Sequence, residues 1–435
     1  MRRFLLISFL VAASFGVAFL LLKEDKFPVV SPDSLTIAGA NSLKSGDLPV
    51  LPEPDTEEVK AVTVEKAKDI EKQLPLVNPP AIIKAVYMTS WVGGTASIRE
   101  RLVKLIDTTE LNAVVLDVKD STGYLGYISE IPDVIKYKAQ ENRMPKINTL
   151  VKELHDKNIY VIARIAVFQD PALAKARPDL AVQNSKTGKP WTDNKGLKWL
   201  DPTNQEVWDY NIAIANDAYG RGFDEVNFDY IRFPSDGDLP AMKFIDYDEA
   251  VETKAEAIGK FFAYLNEHLK DKTTSADLFG LSTINIDDLG IGQIIEDAYA
   301  NFDYVAPMVY PSHYATGFLG YKNPASYPYE VVKYSMDNAI KKMTAGNFTN
   351  VKLRPWLQDF DLGAIYDSAM VRKEIQAVYD SFCSPPSPDL PAGEAGATAD
   401  AQICDLSSND FGDKFGGWML WDPKNVYTEG GLLPE

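Results

Sequence analysis

The chain has 435 residues, of which 46% are hydrophobic and 24% are charged, a composition typical of a folded protein and not of a disordered or fibrous one. It carries 44 Lys and Arg against 62 Asp and Glu, which gives a formal net charge of −18. Because this acidity is not interrupted by a long basic cluster, the chain is not expected to bind nucleic acid.

The N-terminus begins with an apolar run, residues 4–22, that follows Arg2 and Arg3. A run of this length, at about 1.5 Å per residue, approaches the ~30 Å hydrocarbon core of a bilayer. The positive flank predicts a cytoplasmic N-terminus, so residues 1–23 would anchor an extracytoplasmic domain to the cell membrane. The alternative is a cleaved signal peptide and a secreted protein. We favour the anchor because residues 19–22 extend the run beyond the small residues that resemble a cleavage site.

Residues 24–80 are rich in Pro, Ser, Asp and Glu and predict a flexible linker. From residue 81 to residue 435, short β-rich apolar runs alternate with helical patterns. Eight such runs occur, and they begin at Ile82, Asn112, Tyr160, Asp224, Leu278, Asp303, Val351 and Gly417. This alternation predicts parallel strands with helical crossovers, and eight units predict a closed (β/α)8 TIM barrel. An open doubly wound sheet is the alternative, disfavoured because no Gly-rich phosphate loop follows the first run.

The chain has two cysteines, Cys383 and Cys404, which enclose a segment rich in Pro, Gly and Ala. In an oxidising compartment outside the cytoplasm, the pair predicts a disulfide on the face of the barrel opposite its active-site mouth. Two unrelated thiols are the alternative. With three His and no CxxC pair, we expect neither a metal site nor a cofactor.

In a TIM barrel the loops that follow the carboxyl ends of the strands form the active site. Along the fourth run, alternation points Asn227 and Asp229 into the barrel and Tyr230 toward the helices. A carboxylate inside a barrel costs several kcal/mol unless it is paired or hydrogen bonded, so Asp229 is a candidate catalytic residue. An ion pair with Arg164 of the third run is the structural alternative, and the two roles are compatible.

Further acids lie near the predicted ends of other strands. Asp117 points inward on the second run, and Asp287 ends the fifth. Two carboxylates in one barrel mouth are what glycosidic bond cleavage requires. Asp288 is expected to cap the following helix, and Asp359 of the seventh run ranks behind the others as a catalytic candidate.

Aromatic residues crowd the same strand ends. They suit a carbohydrate because sugar rings present apolar C–H faces that stack on aromatic planes, while Arg164, Asn227 and Gln358 could hold hydroxyl groups. The aromatic candidates are Trp91, Tyr124, Trp191, Tyr230, Tyr310, Tyr314, Trp356 and Trp421.

Three segments carry a resemblance to a known family: GFDEVNFDYIRFPSDG at 222–237, VVLDVKDSTG at 114–123 and VAPMVYPSHY at 305–314. They resemble the glycoside-hydrolase-like family long catalogued as a bacterial domain of unknown function. The resemblance implies a TIM-barrel glycosidase-like domain over roughly residues 82–425, with the fourth-strand Asp229 in the sugar pocket.

The fourth run is also similar to the chitinase pattern D-x-x-D-x-D-x-E. Asp224 and Asp229 match its first and third acids, whereas Asn227 replaces the second and Ile231 stands at the position of the catalytic Glu. Substrate-assisted cleavage of the chitinase type is therefore not expected.

Together these features predict a membrane-tethered, extracytoplasmic glycoside hydrolase that acts on a polysaccharide. Asp229 would be nucleophile or stabiliser, Asp117 or Asp287 would donate the proton, and Tyr310, Trp356 and Trp421 would form the walls. Two other functions stay open, because fold does not imply function: a non-catalytic glycan-binding module, and a scaffold for protein partners.

Overall fold

A computed structural model describes residues 68–383 and 412–435. In that part of the chain, eight parallel strands follow one another around a closed barrel, and the last pairs with the first. The seventh strand has two short segments, the second of which pairs with both the sixth and the eighth strand. The strands are β1 (Ile83–Met88), β2 (Ala113–Lys119), β3 (Tyr160–Ala166), β4 (Glu225–Asp229), β5 (Thr274–Phe279), β6 (Tyr304–Met308), β7 (Lys352–Leu353 and Trp356–Gln358) and β8 (Gly417–Trp421).

Helices surround this barrel and connect its strands, and they confirm the predicted TIM barrel. A two-stranded antiparallel ribbon, residues 183–184 and 242–243, joins the loops after β3 and β4. The helices are α1 (Ser90–Gly94), α2 (Ala96–Thr108), α3 (Pro132–Tyr137), α4 (Ile147–His155), α5 (Pro171–Ala176), α6 (Gln205–Gly220), α7 (Lys254–His268), α8 (Ile295–Tyr299), α9 (Pro328–Ala345) and α10 (Ser368–Cys383).

The fifth strand lies earlier in the chain than the sequence predicted. The apolar run that begins at Leu278 suggested a strand extending to Asp287, but β5 ends at Phe279 and the chain then forms a 3-10 turn over Gly280–Thr283. The first four residues of β5, Thr-Ser-Ala-Asp, show no apolar pattern. Two of them, Ser275 and Asp277, face a polar barrel interior, where both accept hydrogen bonds from Asn227.

The two faces of the strands pack into separate cores. Outward side chains such as Val86 and Val114 pack against the helices in one large cluster. Inward side chains such as Ala85 and Val115 form a smaller cluster within the barrel. Alternation along each strand therefore buries both faces, as expected for parallel strands covered by helices.

An ion pair between Glu225 and Arg354 lies in the lower part of the barrel interior, toward the amino ends of the strands, where Glu225 begins β4. Both side chains are fully buried. The hydroxyls of Ser275 and Tyr160 donate to the same carboxylate, at 2.5 and 3.3 Å. These bonds compensate the cost of removing both charges from water.

The last part of the predicted linker is bound to the barrel. The Asp69 carboxylate accepts hydrogen bonds from the backbone N–H groups of Asn148 and Thr149 and so caps α4. The backbone N–H of Leu76 donates to Asp224, just before β4, at 2.7 Å. The folded domain therefore begins before residue 81.

The other N-terminal predictions and one cysteine lie outside the described residues. These are the anchor over residues 1–23, most of the linker, and Cys404, so the Cys383–Cys404 disulfide stays a prediction. Across residues 68–383 and 412–435, no helix has the length and apolar character needed to cross a bilayer.

Barrel closure depends on a glycine. Gly417 has φ +105°, and a Cβ there would lie 1.8 Å from the carbonyl oxygen of Ile83, its partner on β1. We expect Gly417→Ala to lower the free energy of unfolding by about 3 kcal/mol or more, since both the backbone angle and the space are wrong for alanine.

Urea unfolding of the full chain checks this. Gly188→Ala is the matched control, because Gly188 also has positive φ but a Cβ added there would have no other atom within 4 Å. Its expected cost is about 1 kcal/mol. Equal losses in the two variants would contradict the steric account.

Candidate functional site

A buried guanidinium occupies the upper part of the barrel. Arg164 on β3 lies between carboxylates from three other strands, Asp117 on β2, Asp229 on β4 and Asp277 on β5. Its Nη1 donates to Asp117 Oδ1 at 2.7 Å, its Nη2 donates to Asp229 Oδ2, and its Nε lies 3.7 Å from Asp277 Oδ2. The ion pair with Asp229 was the structural alternative that the sequence left open for that residue; the participation of Asp117 and Asp277 in one cluster was not predicted.

The cluster contains three carboxyl groups and one guanidinium, and this excess of acidic groups affects the pKa of Asp277. Burial, reinforced by the negative charge of Asp229, raises the pKa of Asp277 to about 8. Its Oδ1 accepts hydrogen bonds from Asn227 Nδ2 and Trp356 Nε1, both at 2.8 Å. Asp277 is therefore mainly protonated at neutral pH, and burial also raises the pKa of Asp117.

Asp229 is the member of the cluster that reaches a cavity. The cavity has a volume of about 180 Å³ and opens among the loops after β3, β4, β5 and β6. The exposed fraction of Asp229 is 8%, compared with 1% for Asp277. The cavity is lined by Gln169, Asp193, Lys195, Asp229, Tyr230, Arg232, Ser235, Asp236, Phe279, Gly280, Leu281, Met308, Tyr310, His313 and Tyr314.

The backbone reverses its strand conformation directly after Asp229. Tyr230 has φ +53°, a left-handed conformation that is uncommon for a residue with a side chain. The alternation from which Tyr230 was predicted to face the helices ends with β4 at Asp229. Tyr230 packs against the helix-side core and also lines the cavity, where its ring lies edge-on to Trp199 with 5.9 Å between the ring centroids.

Three polar residues predicted to contact substrate are internal to the barrel. Asn227 is fully buried and donates to Ser275 Oγ and Asp277. Gln358 is also fully buried, and its Oε1 accepts a hydrogen bond from Ser312 Oγ at 2.7 Å. Together with Arg164, they hold other protein groups in place.

The predicted aromatic residues are distributed differently. Tyr310 lines the cavity, whereas Trp356 is buried and donates a hydrogen bond from its Nε1 to Asp277. Trp421 stacks on Tyr87 with 3.9 Å between ring centroids, and Tyr87 donates a hydrogen bond to Asp117 at 2.6 Å. Trp91 follows β1 and is 61% exposed.

The predicted strand-end acids Asp287 and Asp288 lie in a turn beyond β5. Asp287 is exposed and accepts a hydrogen bond from the backbone N–H of Leu289 at 3.2 Å. Asp288 accepts from the backbone N–H of Gly290 and does not cap a helix, since α8 begins only at Ile295. Both predictions depended on the misplaced fifth strand.

A family model described as "Putative glycosyl hydrolase domain" matches residues 85–385. The chain belongs to this family. A hypothetical protein from Ruminiclostridium thermocellum ATCC 27405 is 38% identical, and the match covers 47% of this chain and 98% of that protein, with a TM-score of 0.41. The glycoside hydrolase domain of PgaB (BpsB) from Bordetella bronchiseptica is 14% identical over 78% of this chain and 94% of that domain. Its TM-score of 0.50 indicates a shared fold. None of the curated proteins compared matches the chain.

The part of the chain that matches the glycosyl hydrolase family contains the whole cavity wall. Sequence reasoning missed several of its residues, including Asp193, Arg232, Asp236 and His313. Asp193 accepts four hydrogen bonds, two of them from the side chains of Gln169 and Trp199. Burial lowers the pKa of His313 to about 4, so its imidazole is neutral at neutral pH. The segment IRFPSD, in the motif that carried the family resemblance, was the available signal for Arg232 and Asp236.

The raised pKa of Asp277 predicts a specific dependence of stability on pH. Because the folded-state pKa lies above the unfolded value of about 3.9, the stabilising contribution of this group is fully present below about pH 4 and is lost as pH rises through about 8. The loss approaches ~1.4 kcal/mol per pH unit inside that window. Asp277→Asn, which is neutral throughout, should remove this contribution to the slope.

Urea unfolding of the full chain between about pH 5 and 8 measures the slope. The exposed Asp287→Asn is the control and should retain the wild-type slope. If Asp277→Asn and wild type show the same slope, Asp277 does not titrate as described.

Proposed function

We propose that the chain is a glycoside hydrolase that cleaves glycosidic bonds of a polysaccharide, with Asp229 as the reacting carboxylate. The observation that carries the proposal is the position of Asp229. It ends β4, forms an ion pair with buried Arg164 and lines the cavity. A charged carboxylate at the carboxyl end of a barrel strand is suited to react with a sugar or to stabilise an oxocarbenium-like transition state.

The cavity wall supports a carbohydrate as the ligand. Tyr230, Tyr310 and Tyr314 present aromatic surface, and Gln169 and Ser235 add polar groups. Aromatic faces with a few polar side chains suit the C–H faces and hydroxyls of a sugar ring.

Asp236 is our candidate for the proton donor. The sequence favoured Asp117 or Asp287, but within the described chain neither belongs to the cavity wall. Asp229 is paired with Arg164, and Asp193 accepts four hydrogen bonds. In the described part of the chain, Asp236 accepts one hydrogen bond, from the backbone N–H of Asn194 at 3.0 Å. Its second oxygen is thus available to exchange a proton.

The resulting reaction is balanced by two carboxyl groups and water. Asp236 transfers its proton to the glycosidic oxygen as the bond from that oxygen to the anomeric carbon breaks, and the bonding electrons stay with the leaving group. Asp229 stabilises or binds the anomeric carbon. Water then supplies the hydroxyl of the new reducing end, and its proton restores Asp236.

We also propose that the domain is extracytoplasmic and tethered to the membrane through residues 1–23. The Arg2-Arg3 flank and the apolar run support this orientation. Residues 68–76 lie along the outside of the barrel, from Asp69 at the start of α4 to Leu76 beside Asp224, so a tether would join the folded domain near the start of α4.

Asp229→Asn should reduce hydrolysis at least about 10³-fold while leaving glycan affinity similar, because the amide keeps the shape but loses the charge. Reducing-sugar release from bacterial envelope and plant polysaccharides measures it, with Asp287→Asn as an active control. Glycan binding without release by the wild type would reject the hydrolase in favour of the glycan-binding module.

Asp236→Asn should separate acid catalysis from the role of Asp229. Hydrolysis of natural glycosides should fall about 10²- to 10⁴-fold, since their leaving groups need a proton. Aryl glycosides with acidic phenol leaving groups should retain far more activity in this variant, but not in Asp229→Asn. Rates for both substrate types check the assignment, and equal losses on both would contradict it.

A further inference from the structure

Arg232 is a buried cation in the cavity wall, three residues beyond Asp229. Its exposed fraction is 8%. The guanidinium lies over three aromatic rings, 4.7 Å from the ring centroid of Trp199, 4.8 Å from that of Phe279 and 5.6 Å from that of Tyr230. These faces hold it in a defined place on the wall.

The hydrogen bonds of Arg232 leave part of the guanidinium without a protein acceptor. Nη1 donates to the carbonyl oxygen of Phe233 at 3.0 Å and to Ser235 Oγ at 3.2 Å. Within the described chain, Nη2 and Nε make no hydrogen bond and no carboxylate lies within ion-pair distance of the guanidinium, although the charges of Asp229, Asp236 and Asp193 act on it from farther away.

The other buried arginines of the described chain show that this is an exception. Each of them forms an ion pair with a carboxylate: Arg143 with Asp120 and Glu141, Arg164 with Asp117 and Asp229, Arg221 with Asp217, and Arg354 with Glu225. Removing a cation from water costs several kcal/mol, which aromatic faces offset only in part. Burial accordingly lowers the pKa of Arg232, the opposite of the direction for Arg164.

We propose that Arg232 forms a subsite for the carboxylate of a uronic acid residue in the glycan, an inference that rests on the proposed function. The Nη2–Nε edge of a guanidinium matches the two oxygens of a carboxylate, so the substrate would supply the counter-ion that the protein omits. Lys195 adds a second cationic side chain to the same wall. The carboxylate of Asp193 is already engaged by four donors, which reduces its repulsion of an incoming anion.

Calorimetric binding of short oligosaccharides to the full chain tests the subsite. The probes are oligogalacturonates and oligoglucuronates, each compared with its carboxyl-reduced counterpart, which differs only in having a hydroxymethyl group. Short probes limit long-range repulsion by the net charge of −18. We expect the wild type to bind at least one carboxylated oligosaccharide about 10- to 100-fold more tightly than its reduced form.

Arg232→Met should abolish this preference while affinity for the reduced oligosaccharide stays within about threefold, and Arg232→Lys should restore it only in part. Circular dichroism establishes that the variants fold. If Arg232→Met does not fold, the wild-type comparison of carboxylated and reduced probes decides alone. Equal wild-type affinity for both probes, or no binding of either, would overturn the subsite, as would tighter binding of a sulfated oligosaccharide than of every carboxylated one.

The binding assay does not depend on turnover, so the two proposals can fail separately. A carboxylate preference without sugar release would retain the subsite and reject the hydrolase. Release from neutral glycans without any carboxylate preference would retain the hydrolase and reject the subsite.

Discussion

The ion cluster around Arg164 is the interaction on which the upper half of this barrel depends. A guanidinium at this depth is tolerated only because neighbouring strands bring Asp117, Asp229 and Asp277 to it. The parallel register of β2, β3 and β4 places Asp117 beside Arg164 and Arg164 beside Asn227. A shift of one residue on any of these strands would turn its charged side chain toward the apolar helices, so the cluster also fixes the register.

A polar column fills the barrel interior from bottom to top, where many TIM barrels have branched aliphatic layers. At its lower end the Glu225–Arg354 pair has no access to the cavity. Asn227 links the two levels by donating to both Ser275 and Asp277. Among the described residues, the column reaches the cavity wall at its upper end, through Asp229. Asp229, the proposed reacting group, is therefore oriented by strands rather than by loops, which favours a fixed geometry for catalysis.

The sequence alone predicts the features that follow from the alternation of side chains along a strand and from the number of strand–helix units. Eight strand–helix units gave the barrel, and alternation on β4 gave the inward Asp229 with Arg164 as its neighbour. Pattern reading failed on β5, because a strand whose inward residues are Ser275 and Asp277 has no apolar pattern to detect. It also assigned Trp356 and Gln358 to the substrate, since strand-end polar and aromatic residues look the same in sequence whether they face a ligand or another side chain. The cavity wall could not be found from local pattern, because distant loops come together to form it.

The conformation of Tyr230 links the chemistry of Asp229 to the recognition proposed for Arg232. Were β4 to continue as an extended strand, residues 230 and 232 would share one face and point toward the helices. The left-handed turn at Tyr230 brings both side chains to the cavity, and the 2.9 Å hydrogen bond from the backbone N–H of Phe233 to the carbonyl oxygen of Ile291 holds the segment after the turn. A residue with a side chain in this backbone region carries a cost of about 1–3 kcal/mol, which the surrounding structure must offset. The benefit is that the proposed reacting carboxylate and a cation that forms no ion pair within the described chain are fixed three residues apart on one segment. If both proposals hold, the backbone of that segment sets the position of a bound sugar relative to Asp229.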